Sequence, residues 1–313
     1  MNPAVQFEGV EQAKLPDRPL HLAIGMFDGV HRGHRVVIGA AVNAAKASGG
    51  ISAVLTFSPH PSALFRPENP TRLMLPDAVK ARLVGSLGVD AVITQRFTRE
   101  FAAVAAEDFL GWLKRHLPRL VAVYVGENFR FGRERRGDVS VLQATADAVG
   151  VTVWSAPRVN HAAEPISSTR IRAQLASGDI EAANALLGYT YFAEGIVTPG
   201  KRLGRTIGFP TLNIAWTPEL RPRLGVYAVH VSGAKSAAPL PGVANYGLRP
   251  TVENAAEPRL EVHVLGPCPL GEGDAIKVEW LGFLRPETKF ASLDDLRAQI
   301  ARDREVAAEF FRR

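Results

Sequence analysis

Apolar and polar positions divide the chain into two parts of different texture. Up to Leu187, short apolar runs alternate with segments whose apolar positions recur every three or four residues. This alternation is typical of strand–helix–strand units. It predicts strands at Leu20–Ile24, Ile51–Phe57, Ala91–Thr94, Leu120–Val125 and Val151–Trp154. It predicts helices at His34–Ala47, Asp77–Leu87, Ala106–Leu117 and Val139–Val149.

The strands of this first part are apolar along their length, as in Val121–Val125. Strands that are covered by helices on both faces have this character, because neither face meets water. We therefore expect an α/β fold whose first part is a doubly wound parallel sheet. Ligands of such sheets bind beyond the carboxyl ends of the strands.

The pattern changes after Gly188. Short β-rich runs, separated by glycine and proline, occur at Tyr191–Val197, Gly225–Val231, Leu260–Leu265 and Ala275–Trp280. This spacing predicts a small antiparallel β-barrel. We expect two domains, residues 1–187 and residues 188–313, which is also what a length of 313 residues favours.

A final helix is predicted from Ser292, the capping residue. Asp295 stands three residues later, as in a capping box. Leu293, Leu296 and Ile300 then form an apolar stripe at helical spacing.

The composition excludes sites built from several cysteines and gives no sign of a membrane span or a signal peptide. The one cysteine, Cys268, excludes an intramolecular disulfide and a cysteine-rich zinc site. No apolar run approaches the ~20 residues of a membrane span, and the first residues do not resemble a signal peptide. We therefore expect a cytoplasmic protein with no membrane partner. The sequence leaves the oligomeric state open between a monomer and weak self-association.

The net charge of +6 fits either nucleic acid or small polyanionic substrates. The tightest basic cluster comprises Arg130, Arg133, Arg135 and Arg136. No series of stacking aromatics is interleaved with it, so we expect small phosphates and no nucleic acid.

The segment Gly25–His34 reads Gly-Met-Phe-Asp-Gly-Val-His-Arg-Gly-His, directly after a predicted strand. Its first two glycines permit a tight turn, and Gly33 permits close approach of a ligand. The following helix directs backbone N–H groups at the site, which favours anions. His31 and His34 can donate hydrogen bonds to a reacting phosphate. The simpler alternative is a pair of surface histidines at the start of a helix.

Two further segments carry candidate chemistry. Ser168 or Thr169 would cap a helix, and Arg172 could reach a second phosphate, although an ordinary capped helix explains the segment as well. In the barrel, Thr211 and Asn213 alternate along an extended segment, so both side-chain oxygens can face one Mg²⁺. The alternative there is a simple turn.

A near match to a P-loop occurs at Gly195–Lys201. Arg202 stands where a serine or threonine must bind magnesium, and no helical pattern follows. We therefore reject a P-loop.

In this order, the motifs resemble those of the bacterial bifunctional riboflavin kinase/FMN adenylyltransferase (FAD synthetase) family. In the first part, the resemblance rests on Gly25–His34, Thr56–Pro61, Gly126–Gly132 and the Ser-Ser-Thr run ending at Thr169. In the barrel, it rests on the loop with Gly200, Gly204 and Arg205, on Gly208–Asn213 and on Gly242–Thr251. The position of Met26 varies in the family. One departure is Leu270–Gly273, where the family usually has a turn containing tyrosine.

The resemblance implies roles for individual residues. ATP would be bound in the first part by Gly25, Phe27, Asp28, Gly33, Ser168, Thr169 and Arg172, with His31 and His34 at the reacting phosphate. Flavin would lie near Pro59, His60 and Asn128. In the barrel, Gly200, Gly204 and Arg205 would bind ATP, and Thr211 and Asn213 would hold Mg²⁺.

The resemblance also implies that Glu261 is the general base of the kinase, since a hydroxyl is a poor nucleophile until it loses its proton. Glu261 and His263 alternate with Leu260, Val262 and Val264, so a solvated outer strand face is the alternative.

The expected activity is therefore phosphorylation of riboflavin to FMN by ATP, followed by adenylylation of FMN to FAD. One competing hypothesis is a nucleotidyltransferase for another small phosphate, of pantetheine or nicotinate type, with an unrelated barrel. A second is a nucleic-acid-binding protein that uses the barrel as its platform. That protein would carry surface aromatics interleaved with lysine or arginine on the barrel strands.

Overall fold

The computed structural model describes residues 3–200, 208–248 and 258–312. Internal contacts group the chain into two compact units, residues 1–168 and residues 169–313. The predicted domain boundary after Leu187 differs from this division after Ser168 and stays a prediction.

The first unit contains a parallel six-stranded sheet in the order β1-β4-β3-β2-β5-β6, as the predicted fold class requires. Its strands are β1 (Val5–Glu8), β2 (Leu20–Ile24), β3 (Ile51–Ser58), β4 (Ala91–Arg96), β5 (Leu120–Gly126) and β6 (Thr152–Ala156). Strand β1 escaped sequence reasoning because it is a short edge strand and three of its four residues are exposed. A two-stranded hairpin follows, β7 (Asn160–His161) and β8 (Glu164–Pro165).

The connections of this unit carry six helices. They are α1 (Arg32–Ser48), α2 (Pro61–Phe65), α3 (Asp77–Gly85), α4 (Arg99–Ala102), α5 (Phe109–His116) and α6 (Val139–Ala146). Helix α1 begins two residues earlier than predicted, and α5 begins three residues later than predicted. The short α2 and α4 have too few turns to show a helical period, and the sequence did not predict them.

The order in which the chain adds strands to this sheet reverses between β2 and β5. It passes from β2 to one side through β3 and β4, then returns to the other side of β2 for β5 and β6. Adjacent loops at such a switch point diverge and leave a crevice at the carboxyl edge. The loop after β2, which carries the histidine motif, and the loop after β5, which carries Asn128, both begin at this crevice.

The second unit contains a closed antiparallel barrel in the order β10-β13-β12-β11-β14-β9. Its strands are β9 (Phe192–Thr198), β10 (Leu212–Ile214), β11 (Gly225–Gly233), β12 (Leu240–Leu248), β13 (Pro258–Val264) and β14 (Ala275–Pro286). Strand β12 was not predicted from the sequence, because it contains glycine and proline, which are depleted in strands. The interior is filled by large aromatic side chains, among them Tyr191, Tyr227, Tyr246 and Trp280, each at most 1% exposed.

The described residues of this second unit include the helices α7 (Ser168–Ser177, of which only Ser168 lies in the first unit), α8 (Ile180–Leu187) and α9 (Leu293–Phe310). Arg223 donates from its backbone N–H to Leu175 in α7 at 3.0 Å and from its guanidinium to Ser177 at 3.1 Å. Asn184 of α8 donates to the carbonyl of Trp280 at 2.9 Å. These bonds join α7 and α8 to the barrel.

The capping of α9 agrees with the sequence, whereas its apolar stripe agrees only in part, since Leu296 and Ile300 are half-buried. The Ser292 side chain accepts from the backbone N–H of Asp295, as predicted. Leu293, however, is 58% exposed, and the buried residues of α9 are Asp303 and Ala307. The helix is docked through its carboxyl-terminal half, where the Arg285 guanidinium pairs with Asp303 at 2.7 Å.

Within the described residues, no helix is both long and apolar enough to span a bilayer.

Candidate active sites

The turn between β2 and α1 is tightly folded and held by packing. Phe27 and Val30 have positive φ angles of 49° and 39°, which residues other than glycine rarely adopt. Gly29 between them has a φ of 78°. Phe27 and Val30 are 2% and 0% exposed, so the core fixes this backbone. A Cβ on Gly25 would lie 3.0 Å from the Phe27 ring. A side chain at position 25 would therefore press against the Phe27 ring.

The two histidines of this motif form a stacked pair at the start of α1. Their ring centroids are 3.5 Å apart with an angle of 19° between the planes. His31 is the N-cap of α1, and its Nδ1 accepts the backbone N–H of His34 at 3.3 Å. In the neutral ring, the proton therefore lies on Nε2, which can donate. Gly33 lies against the same ring, where a Cβ would be 3.2 Å from it.

Asp28 connects this turn to two other segments. Its buried carboxylate, 2% exposed, accepts the backbone N–H of Met74 at 3.0 Å. Its carbonyl accepts the hydroxyl of Ser168 at 3.1 Å. These bonds give Asp28 a structural function, and its contact with ATP stays a prediction.

The residues that the resemblance assigns to flavin follow neighbouring strands. Pro59 and His60 come directly after β3, and the Ser58–Pro59 peptide is cis. His60 is the N-cap of α2, and its Nδ1 accepts the backbone N–H of Ser62 at 3.1 Å. Asn128 follows β5 at the same edge of the sheet. The structure therefore places all three residues at the carboxyl edge.

A group of aromatic side chains at this edge was not predicted as part of a site. Phe57, at the end of β3, lies 5.6 Å from Phe101 and 6.2 Å from Phe97, measured between ring centroids. Phe97 also lies 6.2 Å from Phe65, which is 57% exposed. The signal in the sequence was phenylalanine near the carboxyl ends of two strands, Phe57 in β3 and Phe97 directly after β4. Such rings fit a platform for a planar ligand.

The hydroxyl and guanidinium segment begins α7. Ser168 and Thr169 are the first two residues of the helix, and the prediction that one of them caps it stays a prediction. Thr169 is exposed, Arg172 is half-buried, and both belong to the second unit.

The predicted metal ligands lie at the start of β10. Thr211 directly precedes the strand, and Asn213 is its middle residue. The Oδ1 atom of Asn213 is buried and has no hydrogen-bond partner in the described part of the chain. A buried acceptor without a donor fits a cation, so Thr211 and Asn213 suit Mg²⁺. In the described ranges, no group of three or more His, Cys, Asp or Glu side chains could hold a metal.

Gly200 adjoins this pair. A Cβ at position 200 would lie 2.3 Å from Nδ2 and 2.9 Å from Oδ1 of Asn213. The amide of Asn213 therefore occupies the space that a side chain at Gly200 would need.

Glu261 stands beside Asn213 on the outer face of the barrel. Asn213 pairs with Glu261 across β10 and β13, and Glu261 pairs with Asn245 across β13 and β12. Residues directly opposite one another on adjacent strands point to the same face. Leu260 and Val262 are both 0% exposed and face the interior, so the alternation read from the sequence is confirmed. Glu261 is half-buried.

Two family models match the chain. The FAD synthetase model matches residues 14–170, and the riboflavin kinase model matches residues 187–311. A curated relative from Escherichia coli (strain K12), named bifunctional riboflavin kinase/FMN adenylyltransferase, is 40% identical over 300 residues and 96% of this chain, or 95% of its own length. A relative of the same name from Haemophilus influenzae is 41% identical over 93% of this chain and 94% of its own length. The chain belongs to the bifunctional riboflavin kinase/FMN adenylyltransferase family.

The fold of this family member also matches a solved structure. A protein from Streptococcus pneumoniae, described as a macrolide-efflux protein, superposes with a TM-score of 0.87 at 27% identity over 98% of this chain and 99% of its own. The description of that protein concerns a different activity. Family membership rests on the two models and the curated relatives.

Parts of the predicted family motifs lie outside the described residues. Gly204 and Arg205 of the nucleotide loop are among them, as are the last three residues of Gly242–Thr251. The departure from the family at Leu270–Gly273 forms a turn closed by Asp274, whose carboxylate accepts the N–H of Gly271 at 2.9 Å. Leu270 is 6% exposed there, so an aliphatic side chain fills this turn.

The basic cluster lies in the loop after β5. Arg130 approaches Asp138 at 3.8 Å, and Arg136 pairs with Glu134 at 2.8 Å. All the side chains in these two pairs are substantially exposed, so the pairs contribute little to stability. A role of this cluster toward phosphates stays a prediction.

Proposed function

We propose that the barrel domain, residues 188–313, phosphorylates riboflavin and that residues 1–187 adenylylate FMN. The observation that carries the kinase assignment is the direct pairing of Asn213 with Glu261 on one outer face. A metal ligand and a carboxylate are needed side by side when ATP transfers its γ-phosphoryl group to an alcohol.

In the kinase reaction, Glu261 accepts the proton of the 5′-hydroxyl of riboflavin. Thr211 and Asn213 would hold Mg²⁺ through neutral oxygens, so most of its charge stays available for the phosphates of ATP. The bound ion would supply charge stabilisation at the transferring phosphoryl group. Gly200, Gly204 and Arg205 complete the proposed nucleotide site.

In the adenylyl transfer, the phosphate of FMN attacks the α-phosphate of ATP and pyrophosphate leaves. The nucleophile is already ionised, so this site needs donors and no general base. Nε2 of His31 and the ring of His34, at the N-terminus of α1, provide such donors. Gly25, Phe27, Asp28 and Gly33 shape the turn around ATP, and Ser168, Thr169 and Arg172 provide a second phosphate anchor.

We propose that the isoalloxazine ring of FMN binds at the carboxyl edge of β3 and β5, near Pro59, His60 and Asn128. The aromatic side chains there, with Phe65 more than half exposed, support this position because they can stack on a planar ring.

The rival hypothesis of a nucleic-acid-binding barrel lacks its distinguishing feature in the described residues. The exposed large apolar side chains on the described barrel strands are Ile196 and Leu248, and neither is aromatic. A stacking platform for bases needs aromatic rings.

We further propose a cytoplasmic location. We also propose that the protein is a monomer or self-associates weakly, and sedimentation would test this self-association.

Crossed substitutions test both assignments in the full-length protein. Glu261→Gln should lower FMN formation from riboflavin by about 10²–10⁴ and leave FAD formation from supplied FMN unchanged. His31→Ala with His34→Ala should lower FAD formation by about 10²–10³ or more and leave FMN formation unchanged. Chromatography of the flavins measures both products.

The outcomes separate cleanly. Near-normal FMN formation in Glu261→Gln would show that Glu261 is a solvated strand residue and not the general base. Unchanged FAD formation in the double histidine variant would remove the stacked pair from the mechanism. Each variant serves as the folding control for the other.

A further inference from the structure

Asn245 is an exposed polar residue on a strand that is otherwise mostly buried. Its neighbours Ala244 and Tyr246 are 0% exposed and face the barrel interior. Asn245 itself points outward and pairs directly with Glu261 on the neighbouring strand. The family resemblance implies no function for its side chain. Its position continues the row Asn213–Glu261 by one strand.

A second carboxylate approaches Asn245 from the segment after β14. A Cβ built on Gly247 would lie 2.3 Å from Oε1 of Glu287 and 3.3 Å from Nδ2 of Asn245. Both atoms therefore border the same small space above the α-carbon of Gly247. The other oxygen of Glu287 accepts the backbone N–H of Leu248 at 3.3 Å, which fixes the carboxylate in place.

The chemistry of an amide suits this position between two carboxylates. The NH₂ group of asparagine has two N–H donors and carries no charge. It can donate to Glu261 on one side and to Glu287 on the other. A lysine or arginine at position 245 would also donate, but its positive charge would stabilise the ionised carboxylate and weaken Glu261 as a base.

We infer that Asn245 is a positioning residue of the kinase reaction. In the reacting complex, its side-chain amide donates to the Glu261 carboxylate and holds that carboxylate toward Asn213. In the described structure the side-chain amide makes no hydrogen bond, and Glu287 lies beside it next to Gly247. A side chain at position 247 would displace the Glu287 carboxylate from its present place. The inference rests on the proposed function of Glu261 as general base.

A double-mutant cycle in the full-length protein tests the coupling. Asn245→Ala should lower kcat for FMN formation by about 10- to 100-fold, the range for losing a hydrogen bond to a charged group, with KM for ATP unchanged. In a Glu261→Gln background, the same substitution should change kcat less than about 2-fold, since residues acting as a unit are non-additive. FAD formation from FMN should be unchanged in every variant.

Two further variants separate the donor from the shape of the side chain. Asn245→Asp keeps the shape but places a carboxylate beside Glu261, so it should lower kcat at least as much as Asn245→Ala. Gly247→Ala moves Glu287 and should reduce kcat with the same dependence on Glu261. Equal kcat in the wild type and Asn245→Asp would overturn the inference.

The cycle also distinguishes the inference from the function on which it rests. If Glu261→Gln lowers kcat as expected and Asn245→Ala lowers it further by its full factor in that background, Asn245 acts on the substrate or the fold, and the inference is wrong. If Glu261→Gln retains near-normal kcat, the base assignment fails, and the positioning role fails with it.

Discussion

A single methyl group at position 200 should disable the kinase by moving its metal ligand. In Gly200→Ala, the new Cβ would lie 2.3 Å from Nδ2 of Asn213, about 1 Å short of the ordinary contact distance of 3.4 Å. Either the amide of Asn213 rotates or β10 shifts by about that distance. A misplacement of 1 Å in a reacting geometry costs about 10²-fold in rate, so FMN formation should fall by about that factor.

The assay measures FMN formed from riboflavin and ATP over a range of Mg²⁺ concentrations. Because the displaced atom belongs to a proposed metal ligand, the Mg²⁺ concentration for half-maximal rate should also rise. The matched control is Gly266→Ala in the same unit, since a Cβ there meets nothing within 4 Å. Both variants gain one methyl group, so they differ only in what that group contacts.

Two results would refute this reasoning. A Gly200→Ala protein with wild-type kcat and Mg²⁺ dependence would show that Asn213 does not need its present position. Equal losses in Gly200→Ala and Gly266→Ala would show that the barrel tolerates no added methyl group at either glycine, whatever it contacts. FAD formation from FMN should stay at the wild-type level throughout.

Two further predictions concern the units and the pH dependence of stability. A fragment of residues 169–313 should form FMN but no FAD. A fragment of residues 188–313 lacks α7 and α8 and so loses the hydrogen bonds of Arg223 and of Asn184. It should unfold at a lower temperature than the longer fragment, and equal melting temperatures would contradict this. Burial lowers the pKa of His21, whose Nε2 lies 2.8 Å from the hydroxyl of Ser48. In the unfolded chain His21 binds a proton as the pH falls below about 6.5, whereas in the folded protein it stays neutral to a lower pH. The free energy of unfolding is therefore highest above that pH and decreases as the pH falls toward the pKa of His21 in the folded protein. Thermal unfolding from pH 7.5 to 5 should show this loss, and His21→Gln should reduce its slope; equal slopes would exclude His21 as the cause.

The local pattern of residues determined much of the architecture. Periodicities of two and of three to four residues mark strands and helices by which faces are buried, so all five predicted strands of the sheet were found. The same alternation placed Glu261 on the outer face of its strand. Elements too short or too rich in glycine to show a period, such as β1 and β12, were not found from the sequence.

Only the tertiary structure decided which of these residues meet. Asn213, Asn245 and Glu261 lie far apart in the chain, and their row depends on the register of three strands in a closed barrel. Register is set by the packing of whole faces and by turn geometry, which no short segment encodes. The contact of Gly200 with the amide of Asn213 depends on the same pairing. A motif can name a metal ligand or a base, but the distance between them is a property of the folded sheet.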